Sequence, residues 1–271
     1  MQTFSVLLSV YKNEKSENLK DALESISIKQ SIQPNEIILV KDGSLTPELE
    51  DMLSRLNKRI NYLKVFGYEE NQGLGFALNF GLKRCTNELV FRMDTDDIAC
   101  PNRFETQLKC FAKNAEISFL GTKIEEFNKT PGDLKKFRNV PLTFEEIQKN
   151  KFKRNPFNHM TVLFKKSIIE EVGGYKEMSG YEDYYLWIRL LKQFKGMNID
   201  EPLVFARIGN DMIKRRHGLE FLKKEFQFQY RLLFENHISL VNFCKNLIIR
   251  CLPRILPIYI LKIIYLKVLR K

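Results

Sequence analysis

Along the first half of the chain, apolar residues take two arrangements by turns. Short continuous runs at residues 3–11 (TFSVLLSVY), 35–44 (NEIILVKDGS) and 60–68 (INYLKVFGY) read as strands covered on both faces. Between them, residues 13–30 and 46–59 carry apolar positions at helical spacing, the second with Pro47 near its start. The order continues with helix at 73–85, strand at 88–94, helix at 100–114 and strand at 116–127. This alternation predicts an α/β fold: a mostly parallel, Rossmann-like central sheet with helices on both faces. Right-handed crossovers then bring the C-terminal ends of the strands to one rim, where open sheets of this kind bind ligands near the switch in strand order.

The layout places acidic residues at that rim. Asp94, Asp96 and Asp97 follow directly on the fourth strand and Asp42 follows the second, so four carboxylates gather there. Like charges packed that closely raise one another's proton affinity unless something positive sits between them. A divalent cation meets the need. Hard oxygen ligands suit Mg2+ or Mn2+, with water and a substrate phosphate completing the shell around one or two carboxylates. The plainer reading of DTDD is an acidic cap on the helix that starts near Pro101, for which one carboxylate suffices.

With 271 residues and 44% hydrophobic content, the chain can bury the core of one large domain, or of one domain with an appendage. Five cysteines, odd in number and without a CxxC pair, follow no secretory pattern and favour a reducing compartment. The net charge of +11 is a C-terminal property, since fourteen Lys and Arg face only four Asp and Glu after Glu201. From Asn242 onward there are seven basic residues, no acidic ones and many Ile and Leu. The longest uncharged stretch there, residues 255–261, is far shorter than the roughly 20 apolar residues a spanning helix needs. Basic stems lying along apolar surface suit the boundary of an anionic bilayer, the partner expected for this tail. Docking on the protein's own core or on a partner subunit is the alternative. Bulky aliphatics beside the charges, rather than aromatics and polar groups, argue against nucleic acid. Pro253 and Pro257 are expected to break or kink any helix in the tail.

Five motifs in order, FSVLLSVYKNE, LVKDGS, NQGLGFALNFGL, FRMDTDDIACPNRFETQ and GYEDYYLW, resemble the inverting glycosyltransferases of family 2, which have the nucleotide-sugar-binding GT-A fold. The similarity covers residues 4–216. It is closest to bacterial members that add sugars to lipid-linked precursors of capsule, exopolysaccharide or O-antigen. The resemblance implies that Ser9, Val10 and Tyr11 hold the nucleobase, usually uracil. Asp42 matches the second position of the family's acidic pair before Gly-Ser, while Lys41 stands where the first acid belongs. Asn71, Gly73 and Asn79 match the stretch that approaches ribose and diphosphate, and Arg92 precedes the metal motif. Asp94 and Asp96 match the Asp-x-Asp pair, with Asp96 as the direct metal ligand and Asp94 as a ribose or outer metal contact. Asp183 matches the catalytic base, with Glu182 and Trp187 on the acceptor side. Arg215 and Arg216, just before His217, fall in a stretch like the family's late loop over the diphosphate, where they could pair with phosphate oxygens, and they equally fit the start of the basic tail.

The chemistry accounts for these residue types. Breaking the bond between an anomeric carbon and a diphosphate oxygen leaves a group that gains negative charge, which a cation and phosphate-binding groups stabilise. On the opposite side one carboxylate accepts the proton of the attacking hydroxyl, and a single displacement inverts the anomeric centre. Other features read more plainly. GLGFAL nearly spells a dinucleotide fingerprint, but Leu78 stands where Gly or Ala closes it, which leaves a helix start. His159 either faces the acceptor or is a satisfied structural residue beside an apolar run. Taken alone, Asp183 is an acid in the first turn of a helix, and Trp187 is by default a core residue. Residues 129–154 are polar and fit an acceptor-side loop and helix.

These readings make residues 1–216 a GT-A glycosyltransferase domain and 217–271 a helical, basic and apolar extension, peripheral to the inner face of the cytoplasmic membrane. The expected reaction is metal-dependent, inverting transfer of a hexose or N-acetylhexosamine from a UDP-sugar to a lipid-linked glycan. A nucleotidyltransferase would need a glycine- and lysine-rich phosphate loop near the first strand, and SVYKNEKSEN has no glycine. A non-catalytic, membrane-docked nucleotide-sugar-binding protein would bind UDP without transfer.

Overall fold

The computed structural model describes residues 2–208 and 218–255. The amino-terminal elements follow the alternation of the sequence: β1 (Phe4–Val10), α1 (Ser16–Ser25), β2 (Glu36–Asp42), α2 (Pro47–Arg59), β3 (Leu63–Tyr68), α3 (Leu74–Leu82) and β4 (Leu89–Arg92). Thr46 caps α2 by accepting from Leu49 N, with Pro47 in the first turn where its missing N–H costs nothing. A short β5 (Ile98–Ala99), α4 (Arg103–Lys113) and the long β6 (Ile117–Phe127) come next. They are followed by β7 (Lys136–Arg138), α5 (Phe144–Asn150), β8 (Leu163–Lys165), α6 (Lys166–Glu171), α7 (Glu182–Leu190) and β9 (Lys195–Arg207). Two helices, α8 (Leu219–Phe234) and α9 (Leu240–Ile255), end the described chain. The described part of α9 includes Pro253, so no break falls there, and Pro257 lies outside the described residues.

The strands form one sheet in the order β3-β2-β1-β4-β8-β6-β9-β5, with β7 paired to β6. β1 to β4, β6 and β9 point the same way, while β5, β7 and β8 run against them. The sheet is therefore mostly parallel, as expected, with its parallel half contiguous and its other half mixed. Strand order reverses between β1 and β4, so the switch point lies beside the residues that follow β4.

Both faces are covered, and the parity of the strand residues divides the core in two. Val6, Leu8, Val10, Ile37 and Leu39 pack with α1, α2 and α4, whereas Leu7, Ile38 and Val40 pack with α3 and α7. The second contact is close enough to require glycine: a Cβ on Gly81 of α3 would lie 2.4 Å from Leu7 Cδ1 and 2.8 Å from Val40 Cγ2. A third cluster joins Tyr181, Tyr184 and Tyr185 of the α7 region to Phe228 and Leu232 of α8 and to Ile238. α9 is fastened to this assembly by Arg250, whose Nε lies 2.5 Å from the buried Glu225 Oε1 and whose Nη1 donates to Lys153 O. Among the described residues, no helix is long and apolar enough to cross a membrane.

Candidate active site

The acidic cluster lies where the sequence puts it. Ligating oxygens of Asp94, Asp96 and Asp97 all fall within 4.8 Å of one another just past β4. Each carboxylate has a different setting. Asp94 is paired to the fully buried Arg92 two residues earlier. Asp97 is itself buried, and its Oδ1 accepts from Arg207 N at 2.8 Å, so β9 is held against the acidic loop. Burial first, then the charges of Asp96 and Asp94, push the Asp97 carboxyl well above its ordinary value. The main-chain oxygen of Asp96 accepts from Arg207 Nε at 3.0 Å.

A divalent cation fits this donor set. The ligands are all hard oxygens, and the buried Asp97 Oδ2 has no hydrogen-bond partner among the described residues. Asp96, whose main chain is fixed while its side chain is part-exposed, and Asp94 are the residues that would hold it.

Arg103 of α4 supports the cluster from beneath and was not singled out in the sequence. It is fully buried and donates to Arg92 O at 2.7 Å and to Gln107 Oε1 at 3.1 Å. Burial lowers its pKa to about 9, with nearby Arg92 acting in the same direction. Two arginines thus sit under three aspartates, and only the part-exposed Asp94 and Asp96 face the rim. Nothing in the local pattern around Arg103 separates it from an ordinary first-turn helix arginine. Its partners come from β4 and from farther along α4.

At the end of β1, Val10 is buried, Ser9 is half-buried and Tyr11 is 42% exposed on the rim. Asp42, at the end of β2, is buried and fully engaged. Its Oδ1 accepts from Tyr68 Oη and Gln72 N, each at 2.8 Å, and its Oδ2 accepts from Asn71 Nδ2 at 2.9 Å. Asp42 and Asn71 together latch the loop after β3. Lys41 points to Glu50 of α2, 2.9 Å away. Gly73 begins α3 at φ 86, the left-handed region open to glycine. Asn79 is committed to backbone: its Nδ2 donates to Tyr175 O at 2.7 Å and its Oδ1 accepts from Tyr175 N at 2.8 Å. It therefore ties α3 to the segment that leads into α7.

Asp183 stands in the first turn of α7, where its Oδ1 accepts from Tyr184 N and its Oδ2 from Asn155 Nδ2, both at 2.7 Å. Asn155 is the second residue that the sequence did not reveal, because it lies 28 positions away in a polar stretch. Glu182 beside it packs against Gly75 of α3, and burial, aided by the charge of Asp183, raises its pKa. His159 is buried, with Nε2 2.9 Å from Tyr175 Oη. Burial and then the charge of Arg92 hold its pKa well below the ordinary value, so it is neutral at physiological pH. Tyr175 lies between the two halves of the site. Burial raises its phenol pKa, and Arg92, Asp183 and Asp94 all act on it electrostatically.

The expectation for Trp187 needs correcting. Its side chain is fully buried, stacked on Phe119 at 5.9 Å and packed near Phe157 and His159, so it backs the site without offering a face to a sugar. A tryptophan one helical turn past Asp183 points inward, because α7 buries its face from Tyr184 to Leu190. Arg215 and Arg216 lie outside the described residues.

The mostly parallel α/β sheet, with its acidic cluster at the switch point, has the GT-A fold. The crystal structure of S. aureus TarS 1-349 in complex with UDP-GlcNAc has this fold, with a TM-score of 0.67 at 18% identity over 93% of this chain and 72% of that one. The family described as Glycosyl transferase family 2 matches residues 5–173, and the chain belongs to it. The UDP-Gal:alpha-D-GlcNAc-diphosphoundecaprenol beta-1,3-galactosyltransferase of Escherichia coli is 40% identical over 99% of this chain and 97% of its own length. The amylovoran biosynthesis glycosyltransferase AmsE of Erwinia amylovora is 35% identical over 97% of this chain and 98% of its own. The chain is accordingly a glycosyltransferase, similar to enzymes of bacterial polysaccharide assembly.

Proposed function

We propose that this glycosyltransferase moves a hexose, in the first instance galactose, from a UDP-sugar to a sugar carried on a polyprenyl diphosphate, with inversion at the anomeric carbon. The observation that carries the reading is the convergence of Asp94, Asp96 and Asp97 within 4.8 Å at the switch point. The 40% identity to a galactosyltransferase acting on GlcNAc-diphosphoundecaprenol supports the choice of donor and acceptor.

In this reading Asp96, with Asp94 behind it, would hold Mn2+ or Mg2+. A bound cation would offset the negative charge that develops on the leaving UDP. Arg92 neutralises Asp94, which keeps the cluster from rejecting a further anion. The backbone at Ser9 and Val10 and the exposed ring of Tyr11 end β1 where a base can rest, and Gly73 opens the start of α3 to close approach by the donor. Asp183 takes the proton of the acceptor hydroxyl as that oxygen attacks the anomeric carbon and the bond to UDP breaks. Asn155 and Tyr184 N hold the carboxylate in place for that transfer. The basic residues after Glu201 draw the enzyme to the anionic membrane that carries its acceptor.

Asp96→Ala and Asp183→Asn separate the two roles. In a radiolabelled transfer assay with UDP-galactose and a GlcNAc-diphospholipid, both variants lose transfer. By titration calorimetry Asp183→Asn keeps manganese-dependent UDP binding, and Asp96→Ala loses it. Wild-type turnover in either variant removes the assignment.

A further inference from the structure

One face of α8 is largely open among the described residues, touched there only at Phe226, whose ring meets Phe243 of α9 edge-on at 6.1 Å. The helix buries Glu225, Phe228, Gln229 and Leu232 against the body of the protein. On its other side, at four-residue intervals, Phe226, Tyr230 and Phe234 form a ladder, with ring centroids 6.3 Å apart at both steps and nearly parallel planes. These rings are 47%, 54% and 73% exposed, and Leu219 on the same stripe is 78% exposed. Lys223, also exposed, falls within the stripe by helical spacing. An apolar, aromatic stripe this open on a water-facing helix marks a contact surface.

We infer that this stripe of α8 is the face through which the enzyme lies on an anionic bilayer, its rings seated at the headgroup boundary and its basic side chains among the lipid phosphates. Charge selects this occupant. The chain after Glu201 holds fourteen basic residues against four acidic ones. Three of the acids are already matched: Glu225 to Arg250, Glu235 to Arg231, and Glu220 to Lys224. Aromatic rings with a polar tip and basic stems with an apolar shaft are the side chains that settle at a membrane interface. The stripe is also joined to the chemistry, because Tyr181, which leads directly into Glu182 and Asp183, donates to Glu225 on the buried side of the same helix at 2.5 Å. A bilayer under α8 therefore lies one side-chain contact from the turn that carries the base. The inference rests on the proposed membrane association and names the surface responsible for it within the 217–271 extension.

Sedimentation of the full-length protein with vesicles of phosphatidylcholine containing one-third phosphatidylglycerol tests it. Phe234→Ser should weaken partitioning about tenfold, since a buried Phe side chain is worth about 1.5–3 kcal/mol and 1.4 kcal/mol is a factor of ten. Tyr230→Ser with Phe234→Ser should abolish it. Lys223→Glu should weaken it only with the anionic vesicles. All these side chains are exposed, so circular dichroism melts and transfer to a water-soluble acceptor should stay at wild-type level. If the α8 variants sediment like wild type while Lys262→Glu with Lys267→Glu does not, the surface belongs to the tail and the inference is overturned. A change from dimer to monomer by light scattering in Phe234→Ser would overturn it in favour of a second copy. If the unmodified protein binds neither kind of vesicle, the membrane reading itself fails.

Discussion

Asn155→Ala tests the link between the fold and the proposed base. The Asn155 amide donates to Asp183 Oδ2 at 2.7 Å, a short bond to a carboxylate and so a charge-assisted one. Bonds of this kind contribute about 1.5–3 kcal/mol. Losing one withdraws that stabilisation from the ionised acceptor and so raises its proton affinity. The donor stabilises the ionised base, so its removal shifts the acid limb of the kcat/KM profile to higher pH. Asn155→Asp keeps the size of the side chain but sets a like charge beside the base, which should move the limb further the same way. The assay is initial-rate transfer from UDP-sugar between pH 5 and 9, with KM for the donor followed separately. A merely structural role for Asn155 would lower kcat evenly across the range. An unmoved acid limb in both variants refutes the assignment of Asp183 as the base held by Asn155.

Stability supplies two more tests. Glu36, the first residue of β2, is buried beside β1; against the upward push of burial, bonds from Lys64, Ser5 and Thr86 bring its pKa down to about 2. A depressed carboxyl stabilises the fold above its unfolded value and loses that contribution as pH falls. Glu36→Gln should therefore cost about 3 kcal/mol in urea denaturation at pH 7 and little near pH 2, flattening the acid side of the stability curve. Equal losses at both pH values would contradict the linkage. Gly81→Val should lower Tm by roughly 5 °C or more in calorimetry, because overpacking between α3 and the sheet costs about 1–3 kcal/mol; an unchanged Tm would show that α3 can draw back from β1.

The parallel half of the fold is plain in the sequence, because β1, β2 and β4 are buried on both faces and appear as unbroken apolar runs. The other half is not. β7 and β8 have three residues each and β5 has two, too few for any period to register. β9 holds thirteen residues but contains Pro202 and scattered charges, and it pairs with β6 only through register shifts. Among the site residues, Asp94, Asp96 and Asp183 stand out because charge and position coincide at a strand end or a helix start. Asn155 and Arg103 do not, since what defines them is a partner brought close by folding. Asn79 and Trp187 are visible as residues, but their directions are decided by how α3 and α7 pack.

The division of the core by strand parity bears on how such an enzyme diversifies. Stepping along β1 from Val6 to Leu7 crosses from the layer beneath the acidic loop to the layer that carries Asn79 and the start of α7. Neighbouring codons therefore act on different layers. A substitution at Leu7, Ile38 or Val40 is felt by α3 and α7, and one at Val6, Leu8 or Ile37 by α1, α2 and α4, so drift in one layer can leave the packing of the other in place.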